Sequence, residues 1–255
     1  MKDVRWVIKV GLWLFGGFSL FALGMNLGVS LKKSTGKNHE NPSDLQMLAN
    51  LTGSNYSFAE VIKQTSGVLV LPYEPANEAH LAIHSAVTHA SESVRKELSQ
   101  VNSPIRTKRR INEASRFFED ALLTQLDSLP NFSCQIPKTS EGKEQRSGYP
   151  DLRVEHLPSG TVAYLDPKLF EETSIKSSFR TFYFEPSKQI KVTEDALHLL
   201  VGFPHDGRAR EWTFATAELV DLADLQVNLK AEFSASNRDL YHQEDEKGLT
   251  SKGQL

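Results

Sequence analysis

Two aspartates and a lysine near the middle of the chain have the residue types and the spacing of a metal-dependent hydrolytic site. Asp151 follows a proline, while Asp166 and Lys168 come just after the apolar run Thr161–Leu165. Mg²⁺ prefers about six hard oxygen ligands, which carboxylates, main-chain carbonyls and water supply. A nearby lysine can orient or deprotonate the attacking water and stabilise charge on a phosphorane. Two carboxylates and a lysine could therefore hold a Mg²⁺ (or Mn²⁺) ion beside an activated water, which is chemistry that can cleave a phosphodiester bond.

A β-hairpin must bring these groups together. Residues Leu152–His156 and the apolar run after them are predicted strands, and the Leu-Pro-Ser-Gly sequence between them favours a turn. Asp151 opens the first strand and Asp166 closes the second, so both carboxylates are expected at one edge of the sheet. Lys168 should share a face with Asp166, because side chains two residues apart point the same way. Pro167 would interrupt a central ladder, but its carbonyl is free to bind metal.

The Asp/Glu-x-Lys pattern also begins at Glu141 and at Asp245. Both of those copies lie in hydrophilic segments and are predicted to be solvated charges. Only the copy at Asp166 follows an apolar strand and has a Pro-Asp pair at hairpin distance. The alternative interpretation is that Asp151 belongs to a turn and Asp166 simply ends a strand, since such sequences are common in loops.

The arrangement of Pro150-Asp151 and Asp166-Pro167-Lys168 resembles the PD-(D/E)xK superfamily of restriction-endonuclease-like nucleases, over roughly residues 109–232. The resemblance implies an α/β (or α+β) fold whose central mixed β-sheet is flanked by helices. It also implies divalent-metal-dependent cleavage of nucleic acid, with DNA preferred to RNA. In this scheme Asp151, Asp166 and the carbonyl of Pro167 hold the metal, and Lys168 is the catalytic lysine.

Members of that superfamily commonly carry a further glutamate on the helix before the Pro-Asp strand. The apolar spacing from Arg109 to Leu129 predicts such a helix, and it contains Glu113 and Glu119. Glu119 follows two phenylalanines and so matches the aromatic-Glu pattern of the superfamily, which assigns it to the catalytic site. Glu113 is the alternative. The two point to different faces of a helix, so only one of them is expected to reach the metal.

Basic residues precede this helix and supply a candidate nucleic-acid surface. The net charge of the chain is −3, so binding of DNA requires a local patch. Four cations are close together in sequence: Arg106, Lys108, Arg109 and Arg110. They could contact phosphates, but a solvated loop between two helices is an equally good interpretation. Arg180, which follows the proposed site strand, is a further candidate for a phosphate contact.

The N-terminal segment is predicted to cross a lipid bilayer. Residues 10–31 contain no charged side chain and would span about 33 Å as a helix, close to the thickness of a bilayer core. We expect a single-pass membrane protein with an uncleaved anchor, and lysines on both sides leave its orientation open. The predicted organisation is a tail (1–9), a transmembrane helix (10–31), a tether (32–56), a nuclease-like domain (57–242) and a flexible tail (243–255).

The remaining pattern predicts helices followed mainly by strands. Helical spacing extends over Ala76–Val101, and further strands are predicted at 132–136, 179–184, 196–203, 212–219 and 226–233. His198, inside an apolar strand, is expected to be a hydrogen-bonded core residue. His80 and His84 have the spacing of zinc ligands but lack an evident third ligand. The sequence has no nucleotide-binding fingerprint, so no organic cofactor is predicted.

Two functions stay open from the sequence. The first is a membrane-anchored, Mg²⁺-dependent endonuclease-like protein that hydrolyses phosphodiester bonds in DNA. The second is a catalytically inactive, membrane-tethered module that binds a protein or nucleic-acid partner. Metal-dependent DNA cleavage separates them, because only the first function requires Asp166 and Lys168.

Overall fold

A computed structural model describes residues 46, 50–177, 182–186, 189–232, 234–237 and 240. The chain divides into two units, one made of residues 1–55 and 228–255 and the other of residues 56–227. In the first unit, the N–H of Gly53 donates to the carbonyl of Leu229, and the N–H of Leu229 donates to the carbonyl of Ser54. The second unit carries the main sheet and the described candidate site residues.

The main sheet is mixed, and the described residues contribute six strands to it. The helices and strands, in chain order, are β1 (Asn55–Ser57), α1 (Phe58–Ser66), β2 (Val70–Leu71), α2 (Glu78–Leu98), α3 (Ser115–Asp127), β3 (Phe132–Gln135), β4 (Leu152–His156), β5 (Thr161–Glu171), β6 (Ala196–His205), β7 (Glu218–Asp221) and β8 (Gln226–Asn228). Strands pair in the order β2-β6-β5-β4-β3, and β7 also pairs with β6. Strands β3, β4 and β5 are antiparallel, whereas β5 and β2 run parallel to β6. The predicted central mixed sheet is confirmed.

Helices α2 and α3 pack against one face of the sheet because their apolar residues recur at helical spacing. Val87 and Val94 of α2 and Phe118 and Leu122 of α3 are fully buried in one cluster with residues of β4, β5 and β6. Each such side chain contributes roughly 1.5–3 kcal/mol by leaving water. Asn77 begins α2, since its side chain accepts hydrogen bonds from two N–H groups of the first turn.

The opposite face of β5 is buried under α1. Phe58 of α1 belongs to a second apolar cluster with Val162 and Tyr164, whereas Ala163 and Leu165 face the cluster of α2 and α3. Side chains of β5 therefore alternate between two buried faces. Burial on both faces explains why the apolar run of this strand is continuous rather than alternating.

Several predicted elements differ in extent from those observed, and β5 and α3 differ most. Strand β5 does not end at Leu165 but continues to Glu171, because it pairs in parallel with β6 from Ala163 to Glu171. Helix α3 begins at Ser115 rather than at Arg109, because a 3₁₀ turn over Ile111–Glu113 precedes it.

Three predicted strands are wrong or shortened. In the segment 212–219, Trp212 and Phe214 are core side chains, Phe214 forms an isolated antiparallel bridge with His205, and a strand begins at Glu218. Their period-2 spacing reflects burial with a single bridge in place of a strand. Residues 182–184 lie outside any strand, and residues 179–181 fall outside the described residues. The last strand covers only Gln226–Asn228.

The prediction of a single-pass membrane protein is contradicted. Within the part of the chain that the structure describes, no helix has the length and apolar character needed to cross a bilayer. The longest helix, α2, is amphipathic and carries charged residues such as Glu92, Arg95 and Lys96 along its length. The segment 10–31, on which the prediction depends, lies outside the described residues.

Candidate active site

The predicted hairpin brings Asp151 and Asp166 to one margin of the sheet. Strand β4 begins opposite Leu165, since Leu152 and Leu165 are partners in the antiparallel ladder. One further hydrogen bond precedes that pair, from the N–H of Asp151 to the carbonyl of Leu165, at 3.1 Å. Beyond this point β5 continues, with Asp166 paired to Leu200 of β6. The two aspartates therefore meet where β4 starts and β5 runs on beside β6.

The position of Pro167 follows from the same register. Carbonyls of residues two apart point to the same side of a strand, so the carbonyl of Pro167 is directed like that of Leu165, towards the side of β4. Because β4 starts only at Leu152, the missing N–H of Pro167 removes no bond from the β4–β5 ladder. A proline is tolerated in this strand for that reason, and its carbonyl lies on the side from which Asp151 approaches.

Asp166 is buried and forms an ion pair with Lys168. Its side chain is 3% exposed, and its Oδ2 atom lies 2.8 Å from Nζ of Lys168, a side chain that is 30% exposed. Among the described residues, Oδ2 has no hydrogen-bond partner of acceptable geometry. A buried carboxylate oxygen with an unused lone pair is expensive unless a ligand completes it.

The carboxyl groups of Asp151 and Asp166 are close enough to hydrogen bond to each other. Burial, followed by the negative charge of Asp166, raises the pKa of Asp151 to about 8, and Lys168 acts in the opposite direction. Like charges held together in this way share a proton unless a cation neutralises them. At neutral pH the metal-free pair therefore retains a proton.

Glu119 lies on α3 and contributes to this electrostatic environment. Its charge is among the groups that raise the pKa of Asp151, and Lys168 is among those that act on Glu119. Burial raises the pKa of Glu119 itself. Glu113, in contrast, ends the 3₁₀ turn before α3 and is exposed.

The residues at this margin fit a hard divalent cation. Two carboxylates and the Pro167 carbonyl are oxygen donors of the kind that Mg²⁺ takes, and Oδ2 of Asp166, whose ion pair with Lys168 lacks hydrogen-bond geometry, can accept a ligand. Within the described residues, no three His, Cys, Asp or Glu side chains are close enough to hold a metal together. Water would fill the remaining positions, as is usual for Mg²⁺.

Lys191 is a site residue that the sequence interpretation missed. It is 2% exposed, and its Nζ donates a hydrogen bond to the carbonyl of Gly148. Burial lowers the pKa of Lys191, while the charges of Asp151, Asp166 and Glu119 act in the opposite direction. The signal available in the sequence was its position between two apolar residues, Ile190 and Val192.

Tyr149 and His198 fix the same loop from inside the core. The Tyr149 hydroxyl and Nδ1 of His198 are 2.6 Å apart, and both side chains are buried. Burial lowers the pKa of His198 to about 3, so the ring is neutral. The prediction that His198 is a hydrogen-bonded core residue is confirmed. His80, on α2, accepts a hydrogen bond from the N–H of Glu74, which precedes the helix, and so has a structural partner.

The predicted nucleic-acid residues occupy different environments. Arg106 donates to the carbonyls of Ser99 and Gln100 at the end of α2, and the Lys108 ammonium lies 5.4 Å from the centre of the Phe117 ring. The remaining two, Arg109 and Arg110, are exposed and border a shallow depression together with Glu113. Arg180 lies outside the described residues.

A central mixed sheet flanked by helices fits a restriction-endonuclease-like core. Comparison with known proteins agrees with that class. The profile of the type II restriction enzyme MjaV family matches residues 51–244. The type II restriction enzyme MjaV of Methanocaldococcus jannaschii is 31% identical over 198 residues, which cover 72% of this chain and 84% of that protein. The chain belongs to the MjaV family of type II restriction enzymes.

Proposed function

We propose that this protein is a Mg²⁺-dependent endonuclease of the PD-(D/E)xK type that hydrolyses phosphodiester bonds in DNA. One observation carries the proposal: Asp151 and Asp166 lie side by side at one sheet margin, and Lys168 is 2.8 Å from Asp166. The chain's membership of a family of type II restriction enzymes supports DNA as the substrate.

Asp151, Asp166 and the Pro167 carbonyl are the proposed metal ligands. A bound Mg²⁺ supplies a Lewis acid that lowers the pKa of water and neutralises phosphate charge. The Oδ2 atom of Asp166, which has no hydrogen-bond partner among the described residues, and the proton retained by Asp151 both support this assignment, since a cation would satisfy the first and displace the second. Glu119 is proposed to act through water, because its influence on Asp151 is electrostatic.

Lys168 is the proposed catalytic lysine. Its ammonium neutralises Asp166 in the metal-free protein, and its side chain is accessible enough to approach a substrate from solvent. With a metal held by Asp166, the ammonium of Lys168 would be available to orient the attacking water and to stabilise negative charge on the phosphate. Lys168 thereby holds a proton next to the reacting atoms.

Arg109 and Arg110 are the proposed phosphate contacts among the basic residues before α3. Both are exposed, and an exposed guanidinium can form a bidentate contact with a phosphate. Arg106 is assigned a structural role instead of a phosphate contact, because its guanidinium already donates hydrogen bonds to two carbonyls at the end of α2.

The proposal is tested by plasmid cleavage with the full chain in the presence of Mg²⁺ or Mn²⁺. Asp166→Asn and Lys168→Met should each lower the cleavage rate by about 10²-fold or more, the range expected for loss of general acid–base or electrostatic catalysis. Glu141→Gln and Lys143→Met are matched controls, because they change the other Asp/Glu-x-Lys copy among the described residues, which lies in an exposed loop. These controls should cleave at the wild-type rate.

Cleavage at the wild-type rate by Asp166→Asn or Lys168→Met would refute the proposed site. A wild-type protein that binds DNA in a gel shift but does not cut it with either metal would instead support an inactive binding module. Circular dichroism of each variant would establish that lost activity is not lost folding.

A further inference from the structure

Lys191 is a buried ammonium whose position is not explained by the proposed catalytic steps. It lies between Ile190 and the fully buried Val192, before β6. Placing an ammonium at a site that is 2% exposed costs free energy unless charges and hydrogen bonds compensate for lost water. The compensation comes from the carbonyl of Gly148 and from the acidic groups of the site.

Gly148 belongs to the loop that delivers Asp151. Three contacts fix this loop at successive positions: Lys191 binds the carbonyl of Gly148, His198 contacts the hydroxyl of Tyr149, and the N–H of Asp151 joins the hairpin ladder. Only the first of these contacts brings a positive charge. It also joins parts of the chain that are 43 residues apart, so it ties the loop to the segment that leads into β6.

We propose that Lys191 is a positioning residue of the active site. It holds the loop that carries Asp151 through the hydrogen bond from its ammonium to the carbonyl of Gly148. This inference rests on the proposed function. Lys191 is too buried to contact the DNA backbone, so it acts through Asp151 and not on the substrate.

Replacement of Lys191 by methionine separates positioning from stability. Methionine has a similar length and is apolar, so its burial costs less than burial of an ammonium. Gly148 is exposed, so its carbonyl can bond to water after the lysine is removed. The fold should therefore survive Lys191→Met without a lower melting temperature, while the loop loses its charged anchor.

Two measurements on the full chain test the inference. Amide hydrogen exchange of the metal-free protein should become faster in peptides covering residues 147–152 of Lys191→Met and should stay unchanged elsewhere. In plasmid cleavage with Mg²⁺, kcat should fall by about 10–100-fold, as for residues that support metal ligands from behind, with KM for DNA unchanged. Lys191→Arg should restore much of kcat, because arginine keeps the charge and the donors.

Lys143→Met is the matched control, since it makes the same substitution at an exposed lysine before the loop. It should leave exchange and cleavage unchanged. Wild-type kcat in Lys191→Met, or unchanged exchange at 147–152, would overturn the inference. Faster exchange throughout the domain with a lower melting temperature would also overturn it, because the role would then be general stabilisation.

The exchange measurement needs no cleavage, so it distinguishes this inference from the proposed function. If the wild-type protein does not cut DNA but Lys191→Met loosens residues 147–152 alone, the proposed function fails and the anchoring of the loop stands. If the wild-type protein cuts DNA and Lys191→Met is indistinguishable from it, the proposed function stands and the inference fails.

Discussion

Acid should destabilise this protein through one buried histidine. His198 is fully buried on β6 and burial lowers its pKa from 6.5 to about 3. Between these two values the unfolded chain binds a proton at this position that the folded chain does not bind. Unfolding is therefore favoured as the pH falls below 6.5, and the effect is absent above it.

The size of the effect follows from the two pKa values. At about pH 4.5 the folded ring is still neutral, whereas the histidine of the unfolded chain is protonated, because this pH is about two units below its pKa. Each unit is worth about 1.36 kcal/mol of unfolding free energy. Relative to pH 7, His198 alone should cost about 2.5 kcal/mol of the free energy of unfolding. This is a large fraction of the stability of an ordinary domain.

Urea denaturation of the full chain at pH 7 and at about pH 4.5 measures this cost. The loss of unfolding free energy between the two pH values should be about 2.5 kcal/mol smaller in His198→Gln than in the wild type, because glutamine cannot take up the proton. Other titrating groups, including Asp151, contribute to both proteins and cancel in the difference. His89→Gln, at an exposed position of α2, should behave as the wild type. Equal pH dependence in His198→Gln and the wild type would refute the assignment of a neutral buried ring.

Further changes test other parts of the structure. Mg²⁺ binding at pH 7 should release up to one proton, because the raised pKa of Asp151 keeps a proton on the acidic pair. Titration calorimetry in buffers of different ionisation enthalpy measures this proton release. If Asp151→Asn released as many protons as the wild type, the assignment would be contradicted. Phe118→Ala should cost about 3–5 kcal/mol in urea denaturation, since it empties a fully buried site between α3 and the sheet. Arg106→Ala should lower stability by about 1 kcal/mol with little effect on DNA affinity, whereas Arg109→Ala and Arg110→Ala should weaken DNA binding in a gel shift and leave stability unchanged.

The hairpin that carries the acidic pair could be predicted from sequence because its determinants are local. A turn sequence separates two short apolar segments, and the boundaries of Leu152–His156 agree with the observed strand. The carboxylates at its open end then follow from strand geometry alone. The distribution of apolar residues on α2 and α3 was equally local, so both helices were found, although their first residues were not placed correctly.

The features that could not be predicted depend on contacts between distant segments. The extension of β5 beyond Leu165 requires β6 as a parallel partner. Parallel strands are not joined by a short turn, so the sequence next to β5 gives no signal of this pairing. The contact of Lys191 with Gly148 joins segments whose spacing carries no periodic signal. The sequence pattern around Trp212 likewise predicts a strand. In the structure, its indole N–H donates to the carbonyl of Lys108 and its side chain is buried in the core.

Strand β5 breaks two rules of sheet structure at adjacent residues, and both exceptions have one cause. A central strand buried on both faces should not contain a charged residue or a proline, yet Asp166 and Pro167 follow four buried apolar residues. They occur where β4 has not yet begun, so the proline interrupts no ladder on that side and the aspartate has a neighbouring carboxyl group in Asp151. Local violations of this kind are expected where a site, rather than stability, determines the residue. A proline or a buried aspartate alone would only weaken the strand. Asp166 and Pro167 both occur at the margin that Asp151 reaches, and this coincidence favours a ligand site over chance.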